Sequence, residues 1–335
     1  MNSILDPINT RKAKNFLLDH IIEILLIILI IAMWMSSKTF MTLANWLNIF
    51  RNISMKGLIA FGMTMVIVAG QIDLSVGSTV AISGVVVARA CRDLPSLTGM
   101  SVDMACVVGI MIGLFFAVAV GVFHASSQHK FNMPSFIITL ASLNLFFGLA
   151  GMISGGFPIA NQFPDWFVKL GTGKLVLWGV GIPVPAIILL IFFILFQFIM
   201  TSTTTGRSIY AVGGNAEAAR LSGVNVLKTK IIAFVSVQVM CIISGFINSA
   251  QVLSGSYSFG RGWEIDVIAA VVIGGTSMAG GVGKVWGTMI GIIFLGVIVN
   301  GMTILNVDQY AQYVVRAALV FFAVLIATYQ TRAKK

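Results

Sequence analysis

Across 335 residues the chain has eleven carboxylates, three histidines and three cysteines for acid–base, metal or nucleophilic chemistry. His20, His124 and His129 stand at no spacing that builds a metal site or a nucleophile triad, and neither HExxH nor GxSxG occurs. Cys91, Cys106 and Cys241 form no ligand spacing and no disulfide framework, so they read as buried thiols. The stretch AVGGNAEA, Ala211 to Ala218, lacks the GK[ST] ending and the preceding strand of a phosphate loop. No catalytic, cofactor or metal site is expected in this chain. What remains is polarity set inside apolar sequence. Glu23, Asp73, Glu264, Asp266 and Arg316 lie near or within apolar runs, where a charge facing lipid is costly and must find protein, water or headgroups. Asp73 and Arg316 are the best enclosed. They are too few and too scattered for the dense carboxylate or histidine relay of an ion-coupled transporter.

The elements that carry these residues are apolar helices. Hydrophobic residues make up 58% of the chain and charged residues 10%, against roughly 25% charged in a soluble domain, and mean hydropathy is +0.99. At about 20 residues per span, the length accommodates about ten spans and little else. They fall near 19–36, 53–70, 74–90, 104–123, 133–150, 177–199, 229–250, 264–279, 284–304 and 308–328. The expected fold is an all-α polytopic membrane protein, one transmembrane domain over 1–335, with some helices interrupted. The first run is a retained span, since it ends in Trp34 and Met35 with no small-residue cleavage site. An even number of spans puts both termini on one side. Arg11, Lys12, Lys14, Arg207, Arg220, Lys228, Lys230, Arg332, Lys334 and Lys335 then share that side, which should be the cytoplasm, with Arg89, Arg92, Lys169 and Lys174 opposite. The net charge of +10 is thus a matter of orientation and headgroups; no clustered basic surface points to nucleic acid. The external stretch 154–175 has room for a short interfacial helix.

Two glycine-rich stretches interrupt spans: VAGQIDLSVGS, Val68 to Ser78, and VIGGTSMAGGVGKVWGTMIG, Val272 to Gly291. Gly70, Asp73, Ser75 and Gly77 in the first, with Gly274, Gly275, Gly280 and Gly281 in the second, are candidates for broken helices or gates; close packing with ordinary turns is the alternative. Asp73 would pin its break by accepting backbone or hydroxyl hydrogen bonds. A third interruption, 206–226, is the most polar stretch. Within it Asn215 is a cap, Gly223 a stop, and Glu217 and Arg220 are i,i+3 neighbours on a helix of about two turns. Such a helix is marginal alone in water. Ala218 and Leu221 offer it small and apolar contact, and Arg207 and Tyr210 would anchor its entry.

Five stretches together resemble the membrane-spanning permease subunit of bacterial ATP-binding-cassette sugar importers, the ribose, galactose, arabinose, xylose and autoinducer-2 group. They are GQIDLSVGS at 70–78, MPSFIITLAS at 133–142, GRSIYAVGGNAEAARLSGV at 206–224, GRGWEIDVIAAVVIGGTSMAGGVGKVWGT at 260–288 and QYVVRAALVFFAV at 312–324. The resemblance implies a cytoplasmic coupling helix in 206–226 docking on separate ATPase subunits, which would hold ATP and magnesium. It also implies a periplasmic or lipid-tethered sugar-binding protein, a second permease chain (a copy or a close paralogue), and residence in the bacterial inner membrane with both termini cytoplasmic. For a sugar path, Gln71, Phe136, Asn144, Asn248 and Gln251 are candidates by hydrogen-bonding or stacking chemistry. Phe147–Gly148 stands where relatives usually have Arg-Gly, and Tyr310 stands alone in a final turn where they often carry an aromatic pair. A proton- or sodium-coupled transporter of a small polar solute is the other reading.

Overall fold

In the computed structural model, residues 20–160, 163–318, 321 and 325 are described. Arg11, Lys12, Lys14, Arg332, Lys334, Lys335 and the end of the last expected span lie outside them. Helices dominate. They are α1 (Ile21–Ser36), α2 (Leu43–Val68), α3 (Val76–Thr98), α4 (Val102–Phe131), α5 (Ser135–Ser154), α6 (Asp165–Thr172), α7 (Val184–Ser202), α8 (Thr204–Gly214), α9 (Ala216–Leu221), α10 (Val226–Val252), α11 (Trp263–Ile273) and α12 (Val285–Ile304). Residues 309–318 are helical as well and form α13. The expectation of an all-α chain is corrected by two small antiparallel pairs: β1 (Ile159–Ala160) with β4 (Ser254–Gly255), and β2 (Lys174–Leu177) with β3 (Val180–Pro183).

Among the described residues, six helices, α2, α4, α5, α7, α10 and α12, are long and apolar enough to cross a membrane. The expected count of ten spans is not confirmed among the described residues. α3 has the length, but its serines, threonines and glycines lower its hydropathy, and it is buried almost continuously from Val76 to Ala88. α11 has 11 residues, roughly 16 Å of helix against a hydrocarbon core of about 30 Å. α2 begins ten residues before the expected 53, because its polar first turns are held: Asn45 and Asn300 of α12 exchange reciprocal side-chain bonds (3.0 and 2.9 Å), and within the helix Arg51 and Asn52 donate to Asn48. The span expected at 177–199 starts at Val184, since Pro183 and Pro185 close the β2–β3 hairpin and open α7.

α10 is the central post, packed on α2, α3 and α4. Its backbone is approached closely where neighbours carry no side chain: a Cβ at Gly62 of α2 or at Gly121 of α4 would lie 2.6 Å from the backbone of Val237 or Val235. The faces of α4, α5 and α7 turned away from α10 expose Phe115, Leu145, Ile191 and Phe198, as lipid-facing surfaces do.

Candidate functional site

Two non-helical segments, one before α3 and one before α11, both lie against α3. Before α3, residues 71–74 are extended and without helical bonds. Before α11, residues 253–262 run antiparallel to α3, so that a Cβ on Gly255 would meet the Gly84 carbonyl at 2.3 Å and one on Gly260 the Gly77 carbonyl at 2.3 Å. Unwound backbone in a bundle must be satisfied by protein groups. Ser135 Oγ accepts from the Ile72 N–H (3.0 Å), Thr139 Oγ1 donates to the Ile72 carbonyl (3.4 Å), and Asp73 Oδ1 accepts from the Ser75 N–H (2.9 Å).

Asp73 is fully buried and anchors a wider network. Its carboxylate also accepts from Ser75 Oγ (2.7 Å) and Gln238 Nε2 (2.7 Å), and Gln238 Oε1 in turn accepts from Thr79 Oγ1 (2.8 Å). His124 Nδ1 lies 3.5 Å from the carboxylate, and His124 Nε2 bonds Ser142 Oγ at 2.8 Å. Asp73, His124 and Ser142 are all buried, and the network they form with Gln238 joins α3, α4, α5 and α10. His124, Ser142, Gln238, Thr79, Ser135 and Thr139 were not singled out from the sequence. The available signal was a Gln and several hydroxyls inside otherwise apolar spans.

Three polar segments converge at the end of the bundle where α7 passes into α8. The Gly281 N–H donates to the Val68 carbonyl at 2.8 Å, and Tyr210 Oη donates to the Gly283 carbonyl at 2.8 Å. A Cβ at Gly213 would stand 1.7 Å from the Val68 carbonyl oxygen and 2.7 Å from the Gly281 nitrogen; one at Gly280 would stand 2.9 Å from the Gly70 Cα. The contact is closed by main chain and has no room for a side chain. Gly70, Gly280 and Gly281 sit at positive φ, the region glycine enters at no steric cost. Of the other candidate break residues, Gly77 packs on Gly260 and Glu264, Gly274 closes against Gly287, and Gly275 turns at positive φ into open space. Desolvation pushes the Tyr210 phenol pKa up.

The segment 206–226 contains two helices where one was expected. α8 carries Arg207, exposed, and Tyr210, half-buried at the junction. α9 begins at the Asn215 cap, whose side chain accepts from the N–H groups of Glu217 and Ala218 (3.0 Å each), and it stops at Gly223, φ +84°. Ala219 packs inward, whereas Glu217, Ala218, Arg220 and Leu221 face out. Glu217 and Arg220 pair at 2.6 Å; the hydrogen bond from Arg220, then its charge, holds the Glu217 carboxyl below the ordinary carboxylate range.

The five path candidates are not brought together. Phe136 and Asn144 are exposed on α5, the Asn144 amide donating to Leu140 of its own helix. Asn248 is buried and Gln251 half-buried at the end of α10, and Gln71 is half-buried in the first break. Ser249 Oγ, Gln251 Oε1 and Ser254 Oγ there are buried without protein partners. Phe147, at the departure from relatives, has the Arg261 guanidinium 4.8 Å from its ring centroid, with Tyr257 on the other flank at 5.8 Å. Asp266 pairs with Lys56 and, at 3.4 Å, with Arg316, which makes Arg316 half of an ion pair joining α11 to α13.

A family model described as the permease component of branched-chain amino acid transport systems matches residues 45–327. The chain is 36% identical over 316 residues to the ribose import permease protein RbsC of Escherichia coli K12, covering 93% of this chain and 94% of that protein. It is 35% identical over 303 residues to RbsC of Bacillus subtilis 168, covering 90% of each. It is also 35% identical over 308 residues to the L-arabinose transport system permease protein AraH of Escherichia coli K12, covering 92% of this chain and 90% of the other. The chain belongs to the permeases of ATP-binding-cassette sugar importers. No solved structure matches it significantly. As a permease of this family it is a multi-pass inner-membrane transport component, whose family works with ATPase and binding-protein partners.

Proposed function

We propose that this permease is the translocation subunit of a binding-protein-dependent, ATP-driven importer for a monosaccharide or similar small furanosyl or pyranosyl solute. The observation that carries the reading is the main-chain junction of Val68, Gly213 and Gly281. It ties the polar segment 206–226 to the first break, 69–75, and to the glycine turn after α11, so a push on α9 acts on both. In this reading α9 docks on an ATPase subunit that holds ATP and magnesium, with Arg220, Glu217, Ala218 and Leu221 as its outward face and Arg207 beside it. Both termini are cytoplasmic, and residues 1–335 form one permease domain that works beside a second permease chain. A sugar-binding protein delivers the solute to the opposite mouth. The identity to ribose and arabinose permeases supports a sugar. So do the unpartnered polar atoms of Ser249, Gln251 and Ser254, which a hydroxyl-rich solute would satisfy on passing. ATP-driven switching between inward-open and outward-open populations then moves the solute.

Reconstitution tests this. Liposomes holding the permease alone should neither hydrolyse ATP nor accumulate labelled sugar under a proton or sodium gradient. With cognate ATPase and ATP inside and loaded binding protein outside, uptake should become concentrative. Uphill uptake by the permease alone under an ion gradient would replace the proposal with the ion-coupled reading.

A further inference from the structure

The β2–β3 hairpin stands apart from the translocation machinery. Its sequence from 174 to 183, KLVLWGVGIP, has Lys174 as its sole charge, and β2 is exposed along its whole length. Trp178 and Gly179 form the tip with φ of 47° and 80°, the two-residue geometry of a type I′ turn, and Trp178 is fully exposed. A tryptophan at an apolar tip suits the boundary between headgroups and acyl chains.

Behind the hairpin, against the first turns of α2, is a cavity of about 420 Å³. Arg51 and Lys174 line it with Asn48, Thr172 and the hairpin backbone at Gly179 and Gly181, and its lining contains no carboxylate. Arg51 donates to Asn48 Oδ1 from Nη2, but its Nε is buried with no partner. A guanidinium and an ammonium lining one cavity with no carboxylate beside them present several N–H donors and excess positive charge, the pattern that takes a phosphate oxyanion. The apolar strand and the tip indole then determine where that phosphate comes from.

We propose that this end of the permease binds the headgroup phosphate of an anionic phospholipid. Arg51 and Lys174 take the phosphate, while Leu175 to Trp178 lie among the lipid's acyl chains and glycerol backbone. The site holds the hairpin in the leaflet at the mouth opposite α9.

The full chain, purified in detergent and depleted of lipid, is titrated with phosphatidylglycerol or with phosphatidylcholine of the same acyl chains, and bound lipid is counted by native mass spectrometry. Phosphatidylglycerol should bind on the order of tenfold more tightly than phosphatidylcholine, as two cations near a membrane surface require. R51Q/K174Q should abolish that preference. K174Q alone, at an exposed position that leaves the fold intact, should reduce it. Glycerol 3-phosphate should compete only weakly, because it lacks the chains that Leu175 and Trp178 contact, and W178S should weaken both lipids alike. Equal binding of the two lipids by the wild type, an undiminished preference in K174Q, or full displacement by glycerol 3-phosphate would overturn the proposal. So would unchanged lipid binding in R51Q/K174Q together with lost stimulation by the sugar-binding protein, which would assign the surface to a protein. The readout is independent of transport, so its failure leaves the importer reading standing.

Discussion

Asp73 shows what a buried carboxylate does where a helix is unwound. It accepts from the Ser75 N–H, from Ser75 Oγ and from Gln238 Nε2, closing one side of the break with groups that water would otherwise have to satisfy. Asp73→Asn keeps one acceptor and, with the Gln238 amide turned over, preserves most of the network. Asp73→Leu leaves three donors unpaired, each costing roughly 1–3 kcal/mol. The leucine variant should therefore unfold at markedly lower temperature and lose sugar uptake, with the asparagine variant close to wild type in both; equal loss in the two would make the charge itself the requirement. The role of Ser75 was legible in the sequence because it lies two residues from Asp73. The roles of Gln238, 165 residues away, and of His124 were not. No local pattern marks a polar side chain that is matched only once distant spans pack. Phe147 is a similar case: its aromatic face carries Arg261, a contact that the missing family arginine could not foretell.

Elements were legible where hydropathy decides and obscured where the bundle supplies polar partners. The runs that became α5, α10 and α12 stand within a few residues of their expected positions, since lipid and core both demand apolar helix there, while α4 runs eight residues past its expected end to Phe131. The start of α2 was hidden by asparagines that pair inside the bundle, and the unwound 253–262 stretch by small residues that read as a loop. That stretch has a testable requirement at Gly260, where φ is +72° and a Cβ would lie 2.3 Å from the Gly77 carbonyl. Gly262 also has positive φ, +79°, but faces open space. Gly262→Ala should cost about 1–2 kcal/mol of backbone strain. Gly260→Ala adds an overpacking penalty of roughly 1–3 kcal/mol against α3. Chemical denaturation of the two variants side by side measures the difference; equal destabilisation would mean that the unwound stretch is not packed tightly on α3.

At the scale of the molecule, the junction under α8 brings together the polar segment, the first break and the glycine turn after α11. Gly213→Ala drives a methyl into the Val68 carbonyl oxygen at 1.7 Å, whereas Gly214→Ala meets nothing within 4 Å. In reconstituted transporter, the first variant should lose uptake and stimulated ATP hydrolysis by an order of magnitude or more, as about 1.4 kcal/mol per tenfold and an overpacking cost of 1–3 kcal/mol imply. The second should behave as wild type. Equal activity in the two would detach the junction from transport. The family was legible from motif order alone, yet this convergence was not, since its closest contacts run from main chain to main chain. That property bears on exchange between relatives. A joint made mostly of carbonyls and amide protons, with Tyr210 bonding the Gly283 carbonyl, asks little of side chains, so residues 204–221 should be transplantable from a permease that carries a different solute, provided Tyr210 and the glycines travel with it. Such hybrids would pair one importer's selectivity with another's motor.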